Sequence, residues 1–403
     1  MRSDLTAISR RILVTSSLTL LLAASPLSVA QASKAQAFKV IHNFTGAAAG
    51  GDPVNGFVPD AAGNLYGTAS SGGLYNNGVA FVVNPKGKET VLHKFKGGAD
   101  GSSPQGFLER DSAGNLYGTT AAGGTFGAGT VFEITGLVET VLYSFTGHPD
   151  GANPLAGLIM DSAGNLYGTT AAGGTIGNGT VFKLSPPAKL FGKWTEKVLY
   201  SFGNGTDGAT PVGGVTFDVS GNLYGTTSAA GAYGFGTVFQ LTPGTSWTEN
   251  TLHDFQNAND GAIPYAGLIA DASGNFYGAA TEGGVNGGGT IFELSPANGS
   301  WNFSVIYSVP GWGISGSFRN VVFDPSSGKL YGTTHCDGDY NSGTVYALTP
   351  SGGSWNYSLL YTFTGGRDGL YSFSNLVLNQ GKLYGTTKYG GTTNSGVIFS
   401  VTP

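Results

Sequence analysis

A tripeptide LYG or FYG returns seven times along this chain. Its tyrosine stands at Tyr66, Tyr117, Tyr167, Tyr224, Tyr277, Tyr331 and Tyr384, at spacings of 51, 50, 57, 53, 54 and 53 residues. A period near fifty means that one supersecondary unit is arrayed many times, and this limits the fold more than any local motif. Each copy reads as four short β-favouring runs, called a to d here, such as GLIMD, NLYGTT, GTVFKL and EKVLYSF. A tight turn such as DSAGN joins a to b, its Asp, Gly and Asn suiting an antiparallel hairpin. The 69 glycines and 17 prolines fill about a fifth of the 403 positions. At roughly 1 and 3 kcal/mol per helical position, they exclude a mainly helical protein. Four antiparallel strands at this period match one blade of a β-propeller, and seven blades is a common ring. The last unit stops after its third strand, GVIFSVTP, while FKVIHNF near the N-terminus copies the strand-d pattern of TVLHKF and TVLYSF. The expected fold is therefore an all-β, seven-bladed β-propeller over residues 38–403, with the N-terminal strand completing blade seven and removing an exposed edge.

Residues 1–37 read as a removable export signal: Arg2, Arg10 and Arg11, an apolar run from Ile12 to Ala24, then small residues at Ser28/Ala30 and Ala35/Ala37. The run is too short for a comfortable membrane span, so a secreted or periplasmic chain is expected, by the general secretory or, given SRRILV, the twin-arginine route. Without this segment the chain keeps 15 cations against 23 anions, a formal −8. That balance argues against nucleic-acid binding. A single cysteine, Cys336, excludes an intrachain disulfide and a thiolate metal cluster.

The strings GNLYGTTAAGGTFGAGTVFEIT and DSAGNLYGTTAAGGTIGNGTVFKLS resemble the GloVer tandem repeat of exported bacterial proteins, and the resemblance covers essentially all of residues 38–403. It implies the repeat fold and export, and no particular activity. The anchor it suggests is not found before Pro403, so release outside the inner membrane is the expectation.

Residues repeated in every blade serve the fold first, so a site is sought among the departures. An Asp-Gly pair recurs at Asp100, Asp150, Asp207, Asp260 and Asp368. A ring of these carboxylates would suit structural calcium, but turn shaping explains them more simply, and no metal or other cofactor is assigned. The pair after strand b is bland in blades one to four but becomes Thr281-Glu282, His335-Cys336 and Lys388-Tyr389 in blades five to seven. With Asp337 and Asp339 following, Glu282, His335, Asp337, Lys388 and Tyr389 are expected to face one side on three consecutive blades. The irregular PGWGISGSFRN of blade six adds Trp312 and Arg319 to that sector. Cations and aromatic faces of this kind suit a carbohydrate or an anionic group.

The leading function is thus ligand binding, with a polysaccharide or cell-envelope component as partner and the protein a monomer. One alternative is a polysaccharide-acting enzyme, a lyase or glycoside hydrolase, using His335, Lys388 and Tyr389 for proton transfer. Another is a protein-interaction scaffold. Repeat drift in a single blade explains the same departures without any site. His42, His93 and His253 occupy a strand-d place that holds tyrosine elsewhere and are read as packing residues. Trp194, Trp247, Trp301 and Trp355 recur at one place near the rim and are either stacking platforms or, preferentially, buried covers between blades.

Overall fold

The computed structural model describes residues 37–53, 55–189, 192–203, 205–310 and 318–403, with residues 310 and 318–320 described by backbone alone. Seven four-stranded antiparallel sheets follow one another. In blade three, strands a to d are Ile159–Met160, Leu166–Thr170, Thr180–Ser185 and Thr195–Ser201. In strand b, Tyr167 and Thr169 reach the next blade, packing on Phe217 and bonding the Gly213 carbonyl, while Gly168 between them lies against Phe182 and Leu158 of its own blade. At Gly168 a Cβ would fall 2.8 Å from the Phe182 ring.

The clasp is present. Phe38–Asn43 pairs antiparallel with Val397–Val401, from Phe38 opposite Val401 to Asn43 opposite Val397. Strand d of blade seven is thus supplied by the other end of the chain. Strand a is shorter than its apolar run suggests, only two residues in blades one to five, three in blade seven (Val377–Asn379) and seven in blade six (Phe318–Asp324). The preceding residues leave the ladder because they crowd the axis: a Cβ on Gly106 would meet the Ala156 carbonyl oxygen at 2.4 Å, and one on Gly267 would meet that of Gly214 at 2.5 Å.

The repeat motif is explained by its hydrogen bonds. In the a–b hairpin of blade three, Asp161 accepts from the Asn165 backbone N–H (2.9 Å), the Asn165 amide (2.7 Å) and the Tyr167 hydroxyl (3.0 Å). The same set recurs around Asp60, Asp111, Asp218 and Asp271.

Two further sets join one blade to the next. The Thr two places after the motif tyrosine donates to a carbonyl of the following blade: Thr68 to Gly106, Thr119 to Ala156, Thr169 to Gly213, Thr226 to Ala266, Thr333 to Ser374 and Thr386 to Pro53. At six seams a buried Phe meets the strand-c Phe of the next blade edge to face, with centroids 5.0–5.4 Å apart, from Phe44–Phe81 to Phe363–Phe399. Between blades five and six both devices change. Ala279 replaces the Thr, Val309 replaces the first Phe and fully buried Tyr346 the second.

Candidate site at the channel mouth

Strand-a segments of all seven blades enclose a central cavity of about 570 Å³. Small residues wall much of it, among them Gly56, Ala156, Gly213, Gly214, Ala266 and Gly267. Its polar side chains include Asn55, Gln105, Tyr265 and Asn375, and among the described residues Lys388 is the single charged one lining it. No carboxylate lines it among the described residues. An anion or an oxygen-rich neutral molecule therefore meets attraction there and no opposing charge.

Lys388 stands just past strand b of blade seven, Lys382–Thr387, with its backbone N–H donating to the Tyr371 carbonyl at 2.9 Å. Its ammonium lies 5.1 Å from the centroid of the Tyr389 ring and 5.6 Å from that of Phe373, within cation–π range. His335, at the equivalent place on blade six, packs on Phe373 (4.0 Å between centroids) and Tyr371 (4.4 Å). Tyr371 and Tyr389 meet edge to face at 6.3 Å. Three residues singled out by sequence, His335, Lys388 and Tyr389, thus share one cluster, joined by Tyr371 and Phe373.

Those two joining residues escape the sequence reading. Their signal is available in LYSFS, where blade seven lacks the usual proline and carries two aromatics instead. Tyr371 has φ 61°, and the equivalent Ser103, Asn153, Thr210 and Ile263 are also left-handed at 54–58°, so this backbone belongs to the repeat.

The other expected residues sit elsewhere. Asp337 accepts from the Gly338 N–H at 2.7 Å. Its charge acts on Tyr307 and Tyr357, whose phenols are raised first by burial and then by Asp337, that of Tyr357 to about 12. Glu282 is bridged through its backbone to Ala262 (2.7 and 3.1 Å), and neither acid lines the cavity. Trp312 lies outside the described residues. Arg319 lies in strand a of blade six, with its side chain outside them too. The Cys336 thiol is raised by burial, against nucleophilic use.

The recurring tryptophans pack. Trp194 lies 6.3 Å from Tyr117, Trp301 5.5 Å from Tyr224, and Trp355 6.0 Å from Tyr277, each half-buried against the preceding blade. The Asp-Gly carboxylates likewise serve their own loops, as when Asp150 accepts from the Thr146 N–H (3.0 Å) and hydroxyl (2.7 Å) and from the Tyr143 hydroxyl (2.6 Å).

The profile of the Gloeobacter/Verrucomicrobia repeat matches residues 29–220 and 216–403. The chain belongs to this family. No curated protein matches it. Among solved structures, a putative 6-phosphogluconolactonase from Bacteroides uniformis aligns at TM-score 0.51 and 15% identity over 80% of this chain and 88% of its own. A second protein so described, from Bacteroides fragilis, aligns at TM-score 0.48 and 15% identity over 88% of each chain. At 15% identity the likeness to the Bacteroides uniformis structure speaks for the fold alone, and sites grafted on one fold differ freely. No helix of the described residues is long and apolar enough to cross a membrane.

Proposed function

We propose that this repeat protein is an exported binding protein for an acidic polysaccharide of the cell envelope, held at the channel mouth on blades six and seven. One observation carries the reading. Among the described residues, the one charged side chain lining the 570 Å³ cavity is a lysine, set between the rings of Phe373 and Tyr389. An ammonium pairs with a uronate carboxylate, while aromatic faces take the C–H faces of sugar rings. The protein as a whole is net acidic and repels a polyanion at long range, so the attraction that holds one is local to the cavity lysine. Export rests on the N-terminal signal, which lies in residues outside those described.

The test is affinity electrophoresis of the signal-free protein through gels holding neutral or acidic polysaccharides. Retardation by an acidic polymer is expected, weakened about tenfold or more in apparent affinity by Lys388→Met, as befits loss of a charge-assisted contact of roughly 1.5–3 kcal/mol. Equal mobility in every gel overturns the proposal.

A further inference from the structure

Three positions recur at the seams between blades: the strand-d aromatic, the loop Asp seven residues later, and the first inward residue of strand d in the next blade. Their combination differs from seam to seam. Between blades two and three they are Tyr143, Asp150 and Glu196, and between three and four Tyr200, Asp207 and Glu249, with each phenol donating to its Asp at 2.6 and 2.7 Å. Between four and five, His253 and Asp260 remain, but Phe303 fills the third place and stacks on the imidazole at 3.6 Å. Between seven and one, His42 meets Glu89 at 3.2 Å, and Ala49 fills the Asp position.

Among these seams, imidazole and two carboxylates coincide between blades one and two. His93 Nε2 lies 3.1 Å from Asp100 Oδ2, and one donor atom from each of His93, Asp100 and Glu139 falls within 4.8 Å of the others. Donors about 2.1 Å from a tetrahedral zinc stand roughly 3.4 Å apart, so small side-chain rotations close the set. Glu139 Oε1 is sealed from solvent with no donor group beside it, and its carboxyl faces that of Asp100 closely enough to share a proton. The His93 and Asp100 side chains keep 15% and 16% exposure, which leaves a path for an ion and for water as a further ligand.

We propose that this seam binds one divalent cation of the zinc class through His93 Nε2, an Asp100 carboxylate oxygen and a Glu139 carboxylate oxygen. Two carboxylates match the double charge, and the imidazole selects a borderline-soft ion over calcium. Binding moves the imidazole proton to Nδ1 and expels any proton shared by the carboxyls. The Lys96 ammonium acts on Glu139 in the ion's absence, and its exposed side chain is free to swing away. Joining strand d of one blade to strand d of the next, the ion would tie the two blades at their rim.

The test is calorimetric titration of the tag-free, chelator-treated protein with zinc chloride, beside His93→Tyr, which installs the residue used at the next two seams, and Glu139→Gln. Circular dichroism melts check that both variants fold. One zinc per chain is expected, weakened about 100-fold by His93→Tyr and at least tenfold by Glu139→Gln, the scale on which ligand shells govern affinity. No zinc heat in the parent, or equal affinity in folded His93→Tyr, overturns the proposal. So does calcium binding as tight as zinc, since that needs no imidazole.

Discussion

Truncating Phe44 to alanine tests ring closure by the N-terminal strand with an internal standard. Phe44 is fully buried beside the clasp strand and meets Phe81 at 5.1 Å, and its N–H donates to the Gly396 carbonyl at 3.0 Å. Phe202 is equally buried in the middle of the chain and meets Phe239 at the same 5.1 Å. If the clasp is as tight as a covalently continuous blade, Phe44→Ala and Phe202→Ala cost the same, about 3–5 kcal/mol each for a buried Phe lost to a cavity. Unfolding entropy near 2.1 cal/mol/K per residue gives about 0.8 kcal/mol/K for a propeller of roughly 360 residues, so each variant melts about 4–6 °C below the parent. Differential scanning calorimetry of the three proteins at one scan rate reads this out. A Phe44→Ala melting point equal to the parent, with Phe202→Ala lowered, would refute closure by this strand.

Thr169→Val keeps the shape of a buried side chain but removes its 2.9 Å bond to the Gly213 carbonyl, and chemical denaturation should show a loss of about 1–2 kcal/mol. Asp161→Ala leaves the Asn165 amide and the Tyr167 hydroxyl without their acceptor and should cost about 2 kcal/mol in the same assay. Thermal stability should peak near pH 5. Burial pushes Glu109, Glu196 and Glu249 up to about 7, so what they contribute is complete below their unfolded value of 4.5 and is lost as pH rises through 7. The hairpin carboxyls of Asp111, Asp161 and Asp218 run the other way: burial raises them, the Asn and Tyr hydrogen bonds outweigh it, and their contribution is lost as pH falls below 3.8. A melting temperature that climbs steadily from pH 5 to pH 8 contradicts the protonated state of those glutamic acids.

Much of the fold is legible because a repeat reports itself: seven LYG motifs, the turn Asp and the misplaced strand-d copy at Phe38 lead straight to a closed ring. Strand a reads too long, since apolar pattern cannot show where the axis becomes too crowded for pairing. The site is legible in part. Departures from the repeat single out His335, Lys388 and Tyr389, which the structure gathers in one cluster. Spacing along a blade does not set direction around the ring, so Asp337 turns toward Tyr307 and Tyr357 while Tyr371 and Phe373 supply the contacts. The seam triads are hidden for the same reason, being built from positions in different blades that no local window contains.

The clasp also carries a consequence in time. Phe38 pairs with Val401, so an early strand waits for a partner made about 360 residues later. At about 5–20 residues per second, that wait is roughly 20–70 seconds. Six blades meanwhile can be assembled from neighbouring segments, but the stretch from Phe38 to Phe44 stays without its partner until Val397–Val401 has been made. Anything that keeps that stretch from premature pairing acts at the one step of assembly that cannot begin early.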